Sequence, residues 1–400
     1  MTPDEIAAQM TGRIDAAGPG RAEAFLSSPV VHNHAAFLQW LPDGALACAW
    51  FGGTLEGRSD IFIHVATLAP GADAWGPAEP VSDDPDRSEQ NPVIFTDPTT
   101  GAPGLFHTAQ PGGRQEECVV RYRPLLRGAG GVRSGEPRTL GLPKGSFVRA
   151  QVTLRDDGAW MLPLFLCRTV PGARWTGSHD VAAVATSTDR GETWDLVEVP
   201  GSTGCVHMTL VPLGGPRIAG FFRRRQADYV YRTESADGGR NWSVPEATDV
   251  PNNNSSIVAI ALADGRVALL CNPVNAANSE ARRASLYDEL GEGDDGRGDP
   301  AGGVPAIWGV PRAPLTLCLS RDGGRTFPQR RVVEDGPGTC LSNNALDGKN
   351  QELSYPAMIE AADGTLHLAF TFHRRAIKHV SLDPSWIEAA SVPTLASNAE

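Results

Sequence analysis

Short apolar runs, broken at near-regular intervals by Asp-Gly pairs, set the rhythm of this chain. Asp43-Gly44 precedes Leu46-Ala47-Cys48-Ala49-Trp50, and the arrangement returns at Asp157-Gly158, at Asp264-Gly265 before Ala268-Leu269-Leu270-Cys271, and at Asp363-Gly364. Pro212-Leu213-Gly214-Gly215 is a weaker copy. Asp-Gly between strand-like runs predicts a tight β-hairpin, because Gly takes the positive φ that the turn needs. A second turn alternates with the first. Ser187-Thr188-Asp189-Arg190-Gly191-Glu192-Thr193-Trp194 recurs at Ser235–Trp242 and Ser320–Phe327 as Ser-x-Asp-x-Gly-x-Thr/Asn-aromatic. Its Asp can accept from the turn's own amides, its Gly supplies positive φ, and the closing aromatic packs beneath.

The two turns together give two hairpins, hence four strands, per unit. Ser187 and Ser235 lie 48 residues apart, whereas Ser235 and Ser320 lie 85 apart, which places an insertion near 275–310 inside one unit. A strand-rich repeat of about 45–50 residues is the size of one propeller blade. Degenerate copies fill the gaps: Ala66–Trp75 keeps the spacing and the aromatic, while the unit near 90–140 carries Arg127-Gly128-Ala129-Gly130-Gly131 instead. The units fall at 30–85, 90–140, 147–200, 204–250, 255–336 and 350–395. The predicted fold class is all-β, a six-bladed β-propeller with the last blade completed by the segment before His32. Residues 1–20 read as an N-terminal extension, helical over Pro3–Ala17 and packed outside a single domain of 21–400. The insertion reads as a short helix (Glu280–Tyr287) and an acidic loop (Gly291–Gly296). Loops of that length serve as lids or oligomer contacts, or are disordered.

Composition narrows the partners. A net charge of −12 argues against nucleic acid or an anionic membrane as partner. The seven cysteines show no CxxC and mostly sit in apolar runs, which predicts buried thiols. Met1–Gly20 lacks an apolar core of the signal-peptide kind and no 18-residue apolar run occurs, so a cytoplasmic location is expected. No zinc-ligand spacing and no phosphate loop is present, so neither a metal nor a cofactor is called for.

The three boxes resemble the Asp-box (bacterial neuraminidase) repeats of the sialidase superfamily, whose fold is a six-bladed propeller. Asn33-His34-Ala35-Ala36, Phe51–Asp60, Asn91-Pro92-Val93, Val148-Arg149-Ala150-Gln151, Phe222–Asp228, Pro251–Ser256, Glu352–Pro356 and Arg374–His379 look like landmarks of the same branch, over roughly residues 30–382. The resemblance implies that the boxes are structural turns away from the substrate. It also implies an arginine cluster for a substrate carboxylate and a Tyr paired with a Glu as nucleophile. The Arg-Ile-Pro motif that supplies the first arginine in true sialidases is absent; His32-Asn33-His34 stands in its place.

Candidate chemistry follows from propeller geometry, in which ligands meet the strand starts around the central channel. His34 and His32 flank the first inner strand. Glu56 and Asp60 follow Gly52-Gly53, where one carboxyl can raise the pKa of the other and act as general acid; a turn-capping Asp and a solvated Glu fit equally. Arg149 and His207 open the third and fourth blades. Arg223 and Arg225 share one strand face, suited to an anion, with Arg224 opposite and Asp228 as an alternative partner. Asn254, in the run Asn252–Asn254, can offer its amide to a hydroxyl. Tyr355 opens the last blade and, by the resemblance, is the nucleophile, with Glu352 three residues away, although both fit hairpin-edge residues as well; Arg374 or Arg375 resembles the late arginine, with Lys378 and His379 adding charge. The leading expectation is a glycoside hydrolase for a small anionic sugar. Catalysis would fall to Tyr355, Glu56, Asp60 and His34, and binding to Arg149, His207, Arg223, Arg225, Asn254, Arg374 and His32. A uronate lyase or isomerase using His, Tyr and Arg is the alternative, and a non-catalytic glycan-binding propeller the third reading.

Overall fold

Six antiparallel sheets, each starting with a strand that is largely buried except in blade 5, where half of it is, stand around a common axis in the computed structural model, which describes residues 1–128, 131–283, 286, 297–342 and 350–388. Blade 1 runs His32–Trp40, Leu46–Gly53, Phe62–Leu68, Glu79–Pro80; blade 4 runs Cys205–Pro212, Ile218–Arg224, Tyr229–Ser235, Glu246–Pro251. Blade 5 runs Val258–Ala261, Val267–Cys271, Leu315–Ser320, Gln329–Glu334. In blade 2, Gly131–Ser134 and Arg138–Thr139 both pair with the third strand, Val119–Gly128. In blade 3 the inner strand is interrupted between Ser146–Val148 and Thr153–Leu154. First strands of neighbouring blades pack on one another, so the solid apolar runs are explained by burial on both faces.

The ring closes as expected. Arg21–Phe25 pairs with Ala376–Leu382 as the fourth strand of blade 6, and Asp15–Ala16 adds a fifth. The N-terminal helix is shorter than the sequence suggested, Pro3–Gln9, with a Thr2–Glu5 capping box. It lies on the outside of the ring, anchored by Ile6, which is 1% exposed and clusters with Phe25 and Val380, while its other residues are exposed. Of the expected helix in the insertion, residues 280–283 are not helical and 284, 285 and 287 lie outside the described residues, as does the acidic loop. So do residues 129 and 130 of the blade 2 turn.

The Asp boxes form as read. Asp322 accepts from the amides of Arg325 at 2.9 Å and Thr326 at 3.1 Å, and from the Thr326 hydroxyl at 2.7 Å. Gly324 has φ +80°, and a Cβ there would lie 2.2 Å from Phe221, so both conformation and space demand glycine. Antiparallel order then sorts the turns. Asp-Gly turns join first to second strands and boxes join third to fourth, so all lie on one face of the ring. Second-to-third connections (54–61, 111–118, 167–180, 225–228, 272–314, 373–375) gather on the other, where the inner strands begin. The seven cysteines are buried free thiols.

Candidate active site

The inner strands share a defect at the crowded face. Register slips between His34 and Phe37, Gln90 and Val93, Val206 and Thr209, and Ser354 and Ala357. Ala35 (φ 61°), Asn91 (52°), His207 (52°) and Tyr355 (51°) occupy the left-handed region at these bulges, and Asn254 (56°) precedes the inner strand of blade 5. Non-glycine residues held there cost on the order of 1–3 kcal/mol each, and bulges re-aim side chains next to active sites. Here the bulges turn polar groups towards one another. The Tyr355 ring lies 4.2 Å from the His34 ring and 5.6 Å, edge-on, from that of His207.

Arg223 donates Nη1 to the Tyr355 hydroxyl at 2.7 Å and Nε to Asn254 Oδ1 at 2.7 Å. Its Nη2 is buried with no hydrogen-bond partner. Burial lowers the Arg223 pKa to about 10, with Arg225 and Arg312 pressing the same way, so the group remains a cation at neutral pH. Arg312 stands 5.6 Å from the centre of the Tyr355 ring and donates to Glu352 at 2.6 Å. Glu352 also accepts from Arg374 Nε at 3.0 Å and from Ser354 Oγ at 2.7 Å. Arg374 reaches on to Glu56, so a chain Arg312–Glu352–Arg374–Glu56 of alternating sign crosses the site. Burial alone would raise both carboxyls; the arginines outweigh it, and Glu352 is held well below, and Glu56 below, the usual range.

Several expectations are corrected by this geometry. Glu56 and Asp60 lie in the connection after Gly53, not on a strand, and Glu56 is the ionised partner of Arg374 rather than an acid raised by Asp60. Asp60 Oδ1 is buried without a partner. Arg225 does share a face with Arg223, both standing over Trp308, and Arg224 turns away to Tyr231 and Asp228. Arg225 is nevertheless bound to buried Asp180 through Nε at 3.0 Å and Nη2 at 2.6 Å, so it is not open to an anion. Asn254 accepts from Arg223 on Oδ1 and donates from Nδ2 to the Ile307 carbonyl, which fixes the amide and leaves its second N–H for another acceptor. Arg149 gives Nη2 to the carbonyls of Ala36, Tyr355 and Pro356. Lys378 is paired with Glu334, and His379, lowered to about 3 by burial, faces His367; neither adds charge to the site.

His34 takes Thr371 on Nδ1 at 2.8 Å, and its Nε2 is unbonded 3.9 Å from Glu352. Burial, then Arg374, drives His34 well below its ordinary pKa and His32 to about 4; burial, then Arg223, lowers His207 likewise. All three are neutral imidazoles at pH 7. The sequence reading missed Arg312, Trp308 and Asp180 as site residues, and weighed Glu352 only as a neighbour of Tyr355. Glu352 stood in a landmark beside Tyr355; Trp308 and Arg312 belong to the insertion and carried no local signal.

Arg374 is aimed by an unusual hairpin. His373 (φ 53°) and Arg374 (58°) both sit in the left-handed region, where such turns favour Asn-Gly. The strain is retained where it delivers a guanidinium to Glu352 and Glu56.

Residues 44–368 match the model of a family described as a BNR repeat-like domain. No curated protein matches the sequence. Among solved structures, the Hadza microbial sialidase Hz136 is similar at TM-score 0.65 and 12% identity, over 89% of this chain and 66% of that one, so this chain spans just under two thirds of its length. The intramolecular trans-sialidase from Ruminococcus gnavus, in complex with oseltamivir carboxylate, is similar at TM-score 0.62 and 12% identity, over 91% and 96%. A protein of unknown function from Dyadobacter fermentans is similar at 0.62 and 14%, over 92% and 100%. At these identities the likeness is one of fold.

Proposed function

The chain belongs to the BNR repeat-like domain family, within a sialidase-like superfamily, and from that premise we propose that it cleaves the glycosidic bond of a small sugar carrying a carboxylate. The observation that carries this reading is Arg223: a buried cation with no ion pair among the described residues, one nitrogen on the Tyr355 hydroxyl and the next unbonded. A carboxylate accepting from Arg223 Nη2 brings its neighbouring carbon beside the phenol oxygen. In a hydrolase that carbon is anomeric. The Tyr355 oxygen forms a bond to it as the phenol proton passes to the neutral imidazole of His34, the bond to the leaving oxygen breaks, and that oxygen takes a proton from an acid. Asp60 is the candidate acid, because Glu56 is held ionised by Arg374. Water then displaces the tyrosine. His207 and His32 add neutral polar edges to the same cleft.

A second reading, elimination from a uronate, is favoured by one observation. Glu352 and Glu56 are both ion-paired, whereas neutral His34 stands against Tyr355 with Nε2 unbonded. Removal of the proton next to the carboxylate and expulsion of the leaving oxygen need only such groups. The test is a panel of 4-methylumbelliferyl ulosonides and uronides together with uronate oligosaccharides, followed by fluorescence, reducing ends and far-ultraviolet absorbance. Release without an unsaturated product supports hydrolysis; an unsaturated product supports elimination. Turnover that survives in both Tyr355→Phe and Arg223→Met refutes the site.

A further inference from the structure

Arg149 poses a separate problem. It is 4% exposed, yet only Nη2 is hydrogen-bonded, at 3.0, 3.0 and 3.1 Å to the Ala36, Tyr355 and Pro356 carbonyls. Its Nε is buried with no partner. Among the described residues no acidic side chain other than the Tyr355 phenol bears on it; burial lowers its pKa to about 10, which leaves it charged at neutral pH. A buried cation with two nitrogens unbonded and no counter-charge is costly, and such groups call for a water or an ion.

The place for one is on the axis. A cavity of about 110 Å³ lies along the inner strands of blades 1, 3, 5 and 6, past the bulges on the side away from the strand starts. Arg149 lines it together with Gln39 and Gln151, against apolar walls that include Phe37, Ile257 and Met358. Neither glutamine side chain takes a hydrogen bond among the described residues, so one guanidinium and two amides line the same space. We propose that this axial cavity is a binding site for a small inorganic anion of the chloride class, held by Arg149 with Gln39 and Gln151. It is distinct from the Arg223 site. The anion supplies the missing counter-charge and steadies the guanidinium that carries the Tyr355 and Pro356 carbonyls.

The probes are bromide and chloride, and no substrate is needed, so failure here leaves the reading of Arg223 untouched. Crystals soaked in sodium bromide are expected to give an anomalous peak in the channel within hydrogen-bond distance of the Arg149 guanidinium. In solution, Tm is expected to rise with the logarithm of chloride concentration and to stay flat in sodium gluconate at matched ionic strength. Arg149→Gln removes that dependence. Should that variant fail to fold, Gln151→Leu keeps the cation and is expected to shift the chloride midpoint upward at least tenfold. Water alone in the channel, bromide only at surface sites, or a chloride dependence unchanged by Gln151→Leu overturns the proposal.

Discussion

Glu352→Gln isolates the buried charge chain from the chemistry. Glu352 is fully buried and is shared by Arg312 at 2.6 Å and Arg374 at 3.0 Å. Gln keeps the shape and one acceptor but removes the only anion bonded to Arg312 among the described residues; Arg374 retains Glu56. Removing one partner of a buried pair costs about 3–5 kcal/mol, because the remaining charge stays desolvated. Gln also mimics protonated Glu352, which fixes the pH dependence. The folded-state carboxyl lies well below its ordinary value: burial alone would raise it, and Arg312 and Arg374 overcome that. Its stabilisation is therefore complete above the unfolded value near pH ~4.3 and is lost as pH falls towards the folded one. The gap between wild type and variant should be constant from pH 7 to about 5, then narrow by about 1.4 kcal/mol per pH unit. Guanidinium unfolding followed by tryptophan fluorescence at a series of pH values reads both quantities. A gap under about 1 kcal/mol at pH 7, or one that does not narrow by pH 3, refutes the reasoning.

Tyr355→Phe should lower kcat by about 10²–10⁴-fold with little change in KM, since the lost oxygen contacts Arg223 and not a binding wall; steady-state kinetics on the active glycoside decides. Arg223→Lys should instead raise KM for carboxylate sugars by roughly tenfold or more, because an ammonium cannot hold Tyr355, Asn254 and an anion together. Asp322→Ala should destabilise by about 1–3 kcal/mol through the lost box bonds while kcat stays unchanged, the box being on the opposite face. His379, lowered to about 3 by burial, disfavours charge in the fold, so stability should fall as pH drops below about 6.5, and His379→Gln should make that limb shallower by its share while His32, His34 and His207, lowered likewise, keep theirs.

What could be read from the chain followed the range of the interactions. Asp-Gly turns and Asp boxes are written in eight-residue strings because their bonds close locally, and they gave the blade count. His34, Arg149, His207, Asn254 and Tyr355 could be placed near the axis because each lies in or beside the first strand of a blade. Their partners could not. Glu56 and Arg374 are 318 residues apart, and Arg225 meets Asp180 across 45. Only the closed ring decides which carboxylate faces which guanidinium, and hence that Glu56 is ionised and Arg225 occupied. Trp308 and Arg312 were hidden for another reason: the segment that holds them carries no periodic pattern to mark them out.

The pairing of Arg21–Phe25 with Ala376–Leu382 has a temporal consequence. The clasp joins a strand that precedes blade 1 to the last strand of blade 6, a contact of very high sequence separation, so the ring cannot lock until every blade between them has been made. Until then the edge that Ala376–Leu382 will cover stays unpaired, a surface that invites pairing with other nascent chains. Appending residues 1–26 after blade 6 by circular permutation would move both halves of the clasp to one end of synthesis and should shorten that exposed interval.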